Sequence, residues 1–412
     1  MVKTLYNIYR FPSVAKRADV LELNRNRKMA SSAHAYVRGN TIKFYEWLDS
    51  SKAVKIPVGP AIWICGDCHL GNLGPIADAQ GNIEIQIRDL DQTVIGNPAH
   101  DLVRLGLSLA TAARGSDLPG LITVRMIEQI IDGYELAFTP EFNELTEKAF
   151  YPSAVQTSMR EANNRTWKNL ARERIENIEP KIPLGKKFWP LTKVERSEIT
   201  KMFEIDNICR LATSIQHRED DASVKLLDAA YWMKGCSSLG KLRYAVLLDV
   251  GETTLNGKDL CLIDIKEAVK AIAPRYSGSK MPSNNGKRVL EGARHLSPYL
   301  GERMVTTELL GKSVFLRELL PQDLKLDIEQ LTPQEAMKVA KYLAWVVGKA
   351  HARQMDHETK KSWFNDLKRN RTKMINAPSW LWTSIVELIT IHESAYLEHC
   401  RKFSNSLSNN LA

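Results

Sequence analysis

The sequence is poor in the features that assign a protein to a membrane or to the outside of the cell. Its 412 residues include no run of about 18 apolar residues, so no membrane-spanning helix is expected. The first twenty residues lack the apolar segment of a secretory signal. Only six cysteines are present, scattered along the chain, and this density argues against a disulfide-bonded scaffold. We therefore expect a cytoplasmic protein with reduced thiols.

Acidic residues are the minority among the charged ones. The 57 Lys and Arg outnumber the 48 Asp and Glu, which gives a formal net charge of +9. A basic surplus favours phosphate-bearing partners, either nucleotides or nucleic acids. The cations are spread out, with small clusters at 186–187 and 368–373, so nucleic-acid binding is the weaker expectation. An RNA-binding helical protein, the alternative, would show a basic stripe across 160–187 and 368–373.

Apolar periodicity predicts an α+β chain whose strands concentrate in one region. Short strands are expected at 61–65 and 83–87, and helices dominate from about 101 to 228. After residue 229, strands and one helix are separated by turns. These are the strands 242–250, 260–266 and 313–319 and the helix 287–296. Helix returns at 333–353, where the Thr332-Pro333 start and Glu335 form a capping pattern.

These elements divide the chain into three segments. Residues 1–228 are expected to form a helical lobe that includes the segment 61–115. Residues 229–330 are expected to form a smaller lobe on an antiparallel sheet, and residues 331–412 to return as helices to the first lobe.

One segment has the residue types that phosphoryl transfer needs. It reads Gly66-Asp67-x-His69-x-Gly71-Asn72, then Asp89-Leu90-Asp91, then Gly96-Asn97-Pro98-x-x-Asp101-Leu102. Such a reaction needs a carboxylate to orient an attacking hydroxyl and oxygen ligands for magnesium on the nucleotide phosphates. Asp67 is the candidate base. Asn72, Asp89 and Asp91 are the candidate metal ligands.

This pattern resembles the catalytic and metal-binding loops of aminoglycoside phosphotransferases and related small-molecule kinases, over about 45 consecutive residues. It also resembles an uncharacterised bacterial family that shares the G-D-x-H-L-x-N and D-x-D elements. The resemblance implies a protein-kinase-like fold that binds ATP and magnesium. It departs from the kinase pattern at Cys65, which stands where those kinases have His, so the strength of catalysis is open. The same residues match C-x-x-C-H, a haem-attachment motif, but the downstream Asp89 has no role in a haem protein.

The other half of a kinase site follows later in the chain than usual. Gly235 and Gly240 flank a turn before the strand 242–250, Lys266 ends the next strand, and Glu291 lies on the helix after it. Glycine turn, strand, strand with Lys and helix with Glu is the order of a kinase nucleotide lobe, which predicts a circular permutation. We expect Lys266 to face Asp89 across a cleft and to pair with Glu291, or with Glu267 as the alternative.

The predicted function is ATP- and magnesium-dependent transfer of a phosphoryl group to a small molecule or a protein. Arg38 is a further candidate for contact with the phosphates or with an acidic substrate. Two alternatives stay open at this stage. One is a nucleotide-binding pseudokinase that regulates a partner, and the other is a kinase-fold nucleotidyltransferase, which would release pyrophosphate instead of ADP. No motif identifies the acceptor.

Overall fold

The computed structural model describes residues 11–50, 56–116, 118–139, 151–165, 181–213, 218, 222–235, 239–251, 260–326, 332–369, 371 and 376–409. Within these ranges helices and antiparallel sheets are both present, which confirms the predicted α+β class. No helix in the described ranges is apolar over a stretch long enough to cross a membrane.

The helices fall into an N-terminal group, a central group and a C-terminal group. They are α1 (Val14–Met29), α2 (Ala33–Gly39), α3 (Thr41–Leu48), α4 (Pro98–Gly115), α5 (Gly120–Leu136), α6 (Ser153–Asn164), α7 (Lys193–Met202), α8 (Asp206–Thr213), α9 (Asn285–Leu296), α10 (Pro298–Gly301), α11 (Pro333–Ala352), α12 (His357–Arg369) and α13 (Ser379–Asn409).

The strands form two short ladders and one larger sheet. They are β1 (Ile62–Ile64), β2 (Leu73–Ala77), β3 (Ile83–Ile87), β4 (Val94–Gly96), β5 (Phe188–Trp189), β6 (Val224–Trp232), β7 (Arg243–Val250), β8 (Leu260–Glu267), β9 (Met304–Leu309) and β10 (Lys312–Glu318). β1 pairs with β4 and β2 with β3, while the larger sheet has the order β5-β6-β7-β8-β10-β9. All these pairings are antiparallel.

The two faces of the larger sheet differ in chemistry because side chains alternate along each strand. On one face, Val246 and Ile263 pack with Ile199 of α7 and Leu211 of α8 in a buried apolar cluster. The opposite face has charged side chains at the ends of the strands. Lys266 lies opposite Arg243 on β7, and Asp264 lies opposite Arg317 on β10. The sheet therefore packs on the core with α7 and α8 on one side, and on the other side its charges adjoin a second buried apolar cluster that includes Leu247 and Leu262.

The structure also differs from the predicted elements in this region. The sheet includes β5 and begins β6 at Val224, both before the predicted start at residue 229. β6 reads VKLLDAAYW, and its Lys, Leu and Ala favour helix when the sequence is considered alone. β9 was not predicted, because its central Thr-Thr-Glu interrupts the apolar alternation. By contrast, β3 and the helix α11 have nearly the predicted bounds.

Candidate nucleotide and anion site

A tight turn follows β1 and contains the predicted catalytic residue. Gly66 has a φ of +73°, and a Cβ at this position would lie 2.2 Å from the carbonyl oxygen of Gln92. The buried carboxylate of Asp101 accepts hydrogen bonds from the backbone N–H groups of Cys65 and Gly66, at 2.7 and 3.0 Å. Asp101 also contacts Nε2 of His351 at 3.2 Å. This clamp fixes the turn from the start of α4 and the end of α11.

Asp67 is held by other protein groups inside this turn. One carboxylate oxygen accepts from Nε of Arg104 at 2.9 Å, and the other accepts from the hydroxyl of Thr41 at 2.9 Å. Asp67 is buried, and Arg104 is almost fully so. The Asp67 side chain does not line the adjacent cleft, whereas its neighbours His69, Gly71 and Asn72 do. The role of Asp67 as a base therefore stays a prediction, and the structure gives its carboxylate two internal partners.

The three predicted metal ligands lie close to one another in the chain's fold. Asn72 lines the cleft, and its side-chain nitrogen donates to the carbonyl oxygen of Asp67 at 3.0 Å. The backbone carbonyl of Asn72 accepts from the N–H of Arg88 at 2.7 Å, which sets Asp89 beside it. The Asp89 side chain is 41% exposed, whereas that of Asp91 is 14% exposed. Oδ1 of Asp91 is buried without a hydrogen-bond partner within the described chain.

Lys266 joins the larger sheet to this acidic pair. Its ammonium lies 3.1 Å from both carboxylate oxygens of Asp89 and 2.5 Å from Asp91, and the lysine itself is buried. The predicted proximity of Lys266 and Asp89 is thus confirmed. Desolvation raises the pKa of the Asp89 carboxyl, but the charges of Lys266 and Arg317 outweigh it and lower that pKa. Desolvation and the neighbouring Asp89 charge raise the pKa of Asp91.

Glu291 is not the partner of Lys266. It forms a salt bridge with Arg294, at 2.9 Å, on the outer face of α9, and this corrects the predicted Lys–Glu pair. The reason is helical phase, since the side chain that α9 directs inward is Arg288. That guanidinium donates to the backbone carbonyls of Thr93, Asp91 and Val269. Glu267, the predicted alternative, instead pairs with Lys312 and caps the N–H of Leu242.

The predicted glycine turn reaches the cleft at one end. Gly235 and Gly240 have φ values of +95° and +97°, a conformation that favours glycine. Gly235 lines the cleft, and its carbonyl oxygen accepts from Nζ of Lys28 on α1 at 2.7 Å. The tip of the turn, residues 236–238, lies outside the described residues.

Arg38, which lies on α2, packs against the turn that contains Asp67. Its guanidinium packs on Gly71, where an added Cβ would lie 2.7 Å from Cζ and Nη2. Its Nε is buried without a hydrogen-bond partner, and no salt bridge to Arg38 is seen among the described residues. Arg38 is therefore a cation on the cleft wall whose charge contacts no carboxylate within the described ranges.

A buried charge network supports the site, and our sequence analysis did not find it. Asp264 accepts two hydrogen bonds from Arg243, at 2.8 and 2.6 Å, and others from Arg317. Arg317 also donates to the carbonyl of Arg88, next to Asp89. Although burial raises the pKa of Asp264, the two guanidinium groups lower it far more. The available signal was Asp264 two residues before Lys266 in an apolar strand, which places both on one face.

His69 is a second residue whose position could not be read from the motif. It is buried, lines the cleft and leaves Nδ1 without a hydrogen-bond partner in the described chain. Desolvation, followed by the charges of Arg38 and Arg104, lowers the pKa of His69 well below its usual range. A neutral imidazole therefore faces the cleft at physiological pH.

The cleft itself has a volume of about 890 Å³ and is strongly basic. Of its nineteen described lining residues, nine are Lys or Arg, and Asp89 is the acidic one. The cations are Lys28, Arg38, Arg88, Lys186, Lys187, Lys234, Arg243, Arg317 and Lys325. The described residues contain no group of three or more His, Cys, Asp or Glu side chains placed to hold a metal. Any metal here would bind through two carboxylates, the Asn72 amide and the ligand's own oxygens.

The two cysteines of the C-x-x-C-H match are core residues. Cys65 and Cys68 are free thiols with no exposed surface. The hydrogen bond to Cys68 and burial raise the pKa of the Cys65 thiol. Reactive cysteines lie in electropositive, partly exposed environments that lower the thiol pKa, so this buried environment does not favour the redox alternative.

Fold and site together define an α+β protein with a basic cleft between an antiparallel sheet and a clamped acidic turn. A comparison of the sequence with known protein families assigns the chain to one of them. Residues 17–402 match the family described as "Uncharacterized protein conserved in bacteria (DUF2252)", and the protein belongs to that family. This confirms the expected likeness to an uncharacterised bacterial family. No curated protein and no solved structure matches the chain.

Proposed function

We propose that this protein is an ATP- and magnesium-dependent phosphotransferase with a two-lobed, circularly permuted kinase-like fold. The observation that carries the proposal is the contact of Lys266 with Asp89 and Asp91, which are remote in sequence. Lys266 and Asp89 are 177 positions apart in the sequence. A lysine from the sheet beside two carboxylates from a turn is what a nucleotide-phosphate site requires.

The end of α11 supports the permuted order. His351 contacts Asp101, and the side chain of Gln354 exchanges hydrogen bonds with the backbone N–H and C=O of Trp63 on β1. α11 follows the larger sheet in sequence, and its C-terminal end thus lies beside β1, the strand that precedes the Asp67 turn. Joined in that order, sheet, helix, turn and Asp89 loop would follow one another as the kinase resemblance implies.

The residues present fit a nucleotide and its metal. Nine cationic side chains suit a triphosphate, and the unpartnered Oδ1 of Asp91 suits a cation. Asn72, Asp89 and Asp91 would hold magnesium, which neutralises charge on the transferred phosphate. Lys266 now bridges the two carboxylates, so its ammonium would move to phosphate oxygens when the nucleotide binds.

In the proposed reaction, the bond from the terminal phosphorus to the bridging oxygen breaks, and ADP leaves with that electron pair. A new bond forms from phosphorus to the acceptor's hydroxyl oxygen, and the hydroxyl proton passes to Asp67. For this, an acceptor hydroxyl must displace Thr41 or Arg104 from one carboxylate oxygen. Positioning and charge neutralisation supply most of the rate in such reactions.

Calorimetry with a non-hydrolysable ATP analogue, with and without magnesium, tests the binding half. Asp89→Asn should weaken the magnesium-dependent affinity by about tenfold or more, because a charged ligand contributes about 1.5–3 kcal/mol. Asp19→Asn on the exposed face of α1 is the matched control and should change nothing. Unchanged magnesium-dependent affinity in Asp89→Asn contradicts the assignment.

Release of ADP tests the chemical half. Asp67→Asn should lower turnover by about two to four orders of magnitude and leave nucleotide affinity within about twofold. Thermal unfolding must accompany the assay, because the change leaves buried Arg104 with a weaker partner. The contrary result is equal background hydrolysis by both proteins, with no transfer in a broad acceptor screen.

A specific observation favours a second candidate, the nucleotide-binding pseudokinase. Both oxygens of Asp67 have internal partners, and Cys65 replaces the loop histidine of the kinases. Nucleotide bound without turnover, together with intact Asp89 dependence, would support this candidate. Pyrophosphate in place of ADP among the products would instead support the nucleotidyltransferase.

A further inference from the structure

We propose that the acceptor is a small polyanion, an alcohol that already carries phosphate or carboxylate groups, bound by Arg38, Lys325 and Lys28. This inference rests on the proposed phosphotransferase function and names the substrate class of the same cleft.

The first step is the distribution of charge. Among the cations of the cleft, Arg243 and Arg317 share the single carboxylate of Asp264, and Asp89 interacts with Lys266. Five others pair with no carboxylate in the described part of the chain. These five are Lys28, Arg38, Lys186, Lys187 and Lys325. A triphosphate with one magnesium ion bears about two negative charges. A nucleotide alone would therefore leave much of this charge uncompensated.

The second step is the placement of Arg38. It lies on the Gly71 backbone beside the Asp67 turn, where an acceptor has to approach the transferred phosphate. Its buried Nε has no hydrogen-bond partner among the residues that the structure describes, although an arginine fork can bind phosphate or carboxylate through two nitrogens. A planar cation fixed against backbone and left without a counter-ion is an anion site prepared in advance.

The third step concerns Lys325, which faces the same space. Partial desolvation lowers the pKa of this lysine, and the charges of Arg38, Arg88 and Lys28 lower it further. Like charges close to a lysine repel its ammonium, and this repulsion is relieved when an anion binds. The mutual repulsion of Lys28, Arg38 and Lys325 would be offset by a bound anion, whereas the ligand-free fold offers these three no carboxylate among the described residues.

Two other acceptors fit the cleft less well. A polycationic acceptor, such as an aminoglycoside, would meet like charge at every one of these side chains. RNA spreads its phosphates along an extended surface, whereas these cations converge on one concavity of about 890 Å³, a volume typical of small-molecule sites. A small anionic alcohol satisfies both the charge and the shape.

The test uses the full chain saturated with magnesium and a non-hydrolysable ATP analogue. Fructose 1,6-bisphosphate, fructose and glucosamine are titrated into it by calorimetry as anionic, neutral and cationic probes. The bisphosphate should bind at least about a hundredfold more tightly than the other two, because charge-assisted contacts to two or more cations are lost in those probes. Added salt should weaken its binding.

Variants connect this binding to the cluster. Arg38→Ala should weaken bisphosphate binding about tenfold or more, and Arg160→Ala, an exposed arginine on α6, should leave it unchanged. Should Arg38→Ala fail to fold, Lys325→Gln gives a second test. It should weaken bisphosphate binding and leave the thermal midpoint equal or higher, because it removes a repelled charge.

Three results overturn the inference. The first is bisphosphate binding that occurs without nucleotide and is abolished by it, since the cations would then serve the nucleotide while the proposed function stands. The second is binding unaffected by both variants. The third is a 12-nucleotide RNA that displaces the bisphosphate from nucleotide-saturated protein. If the nucleotide itself does not bind, the proposed function fails, and Arg38-dependent bisphosphate binding to the free protein still supports the anion site.

Discussion

Replacement of Lys266 with methionine removes the ammonium that bridges the acidic pair and keeps most of the side-chain length. The ammonium is almost fully buried and lies 3.1 Å from Asp89 and 2.5 Å from Asp91. Without the ammonium, the carboxylates of Asp89 and Asp91 have less positive charge nearby to offset their repulsion. The variant therefore measures how strongly the ligand-free protein depends on the contact between its sheet and the acidic turn.

The size of the effect follows from burial. Removal of one partner from a buried ion pair costs about 3–5 kcal/mol, because an uncompensated charge is left behind. Here the Asp89 side chain is 41% exposed, and solvent screens part of that charge. Arg317 also remains nearby to stabilise the Asp89 carboxylate. We expect Lys266→Met to lose about 2–3 kcal/mol of unfolding free energy at pH 7.5.

The contribution of Asp89 to the pH dependence of stability has opposite signs in the two proteins. In the wild type the pKa of Asp89 is lowered, so its ionisation stabilises the fold above the unfolded carboxyl pKa of about 4. That stability is lost as the pH falls through the lowered folded pKa. In the variant the acidic pair should have a raised pKa, and a group of that kind loses stability as the pH rises. The gap between the two proteins should therefore be wide at pH 7.5 and narrow towards pH 4.5.

Urea unfolding followed by circular dichroism between pH 4.5 and 8 measures this gap. Lys312→Met is the control, because that lysine is 48% exposed and its partner Glu267 keeps the N–H of Leu242 as a second hydrogen-bond donor. It should cost less than about 0.5 kcal/mol at every pH. A loss in Lys266→Met no larger than in the control, or one independent of pH, refutes the reasoning.

Three further predictions concern other parts of the structure. Asp264→Asn should cost about 3–5 kcal/mol in urea unfolding, because two buried guanidinium groups lose their carboxylate. Gly133→Ala should cost about 3 kcal/mol or more, since its Cβ would lie 1.9 Å from the carbonyl oxygen of Lys341, whereas Gly115→Ala, with open space around it, should be tolerated. Glu291→Gln should change nucleotide affinity less than twofold by calorimetry and stability by less than about 0.5 kcal/mol, and a larger loss would restore the predicted pairing with Lys266.

Helices and strands with a clear apolar period or a clear capping pattern could be predicted from the sequence. The alternation in IEIQI predicted β3, and the Thr332-Pro333 start with Glu335 predicted α11. The start of the larger sheet could not be located this way. β6 is rich in residues that favour helix, yet it pairs with β7 in the sheet. This pairing decides its secondary structure, and a local sequence pattern cannot predict it because it depends on residues outside that pattern. Tertiary pairing overrides propensity at that position.

Within the candidate site, residues that belong to a spaced motif could be predicted from the sequence. Residues whose contacts depend on the rotation of a helix or the register of a strand could not. Lys266 contacts Asp89, and Asn72 lines the same cleft as Asp89. The inward residue of α9 proved to be Arg288, because the sequence leaves the rotation of a helix undetermined when both faces contain charges. Arg243 and Asp264 were missed for a related reason, since their pairing depends on the register of β7 against β8.

Binding and transfer make different demands on this cleft. Anion binding requires cations that face the space, and Arg38 is such a cation without any rearrangement. Transfer requires an available oxygen on Asp67, whose carboxylate is held by Arg104 and Thr41. Arg104 in turn donates to the carbonyl of Val37, the residue before Arg38. The helix that contains Arg38 is therefore linked to one of the two partners of Asp67 through that hydrogen bond. In the proposed transferase, Asp67 would therefore serve as a base only after an acceptor hydroxyl displaces one of these two partners.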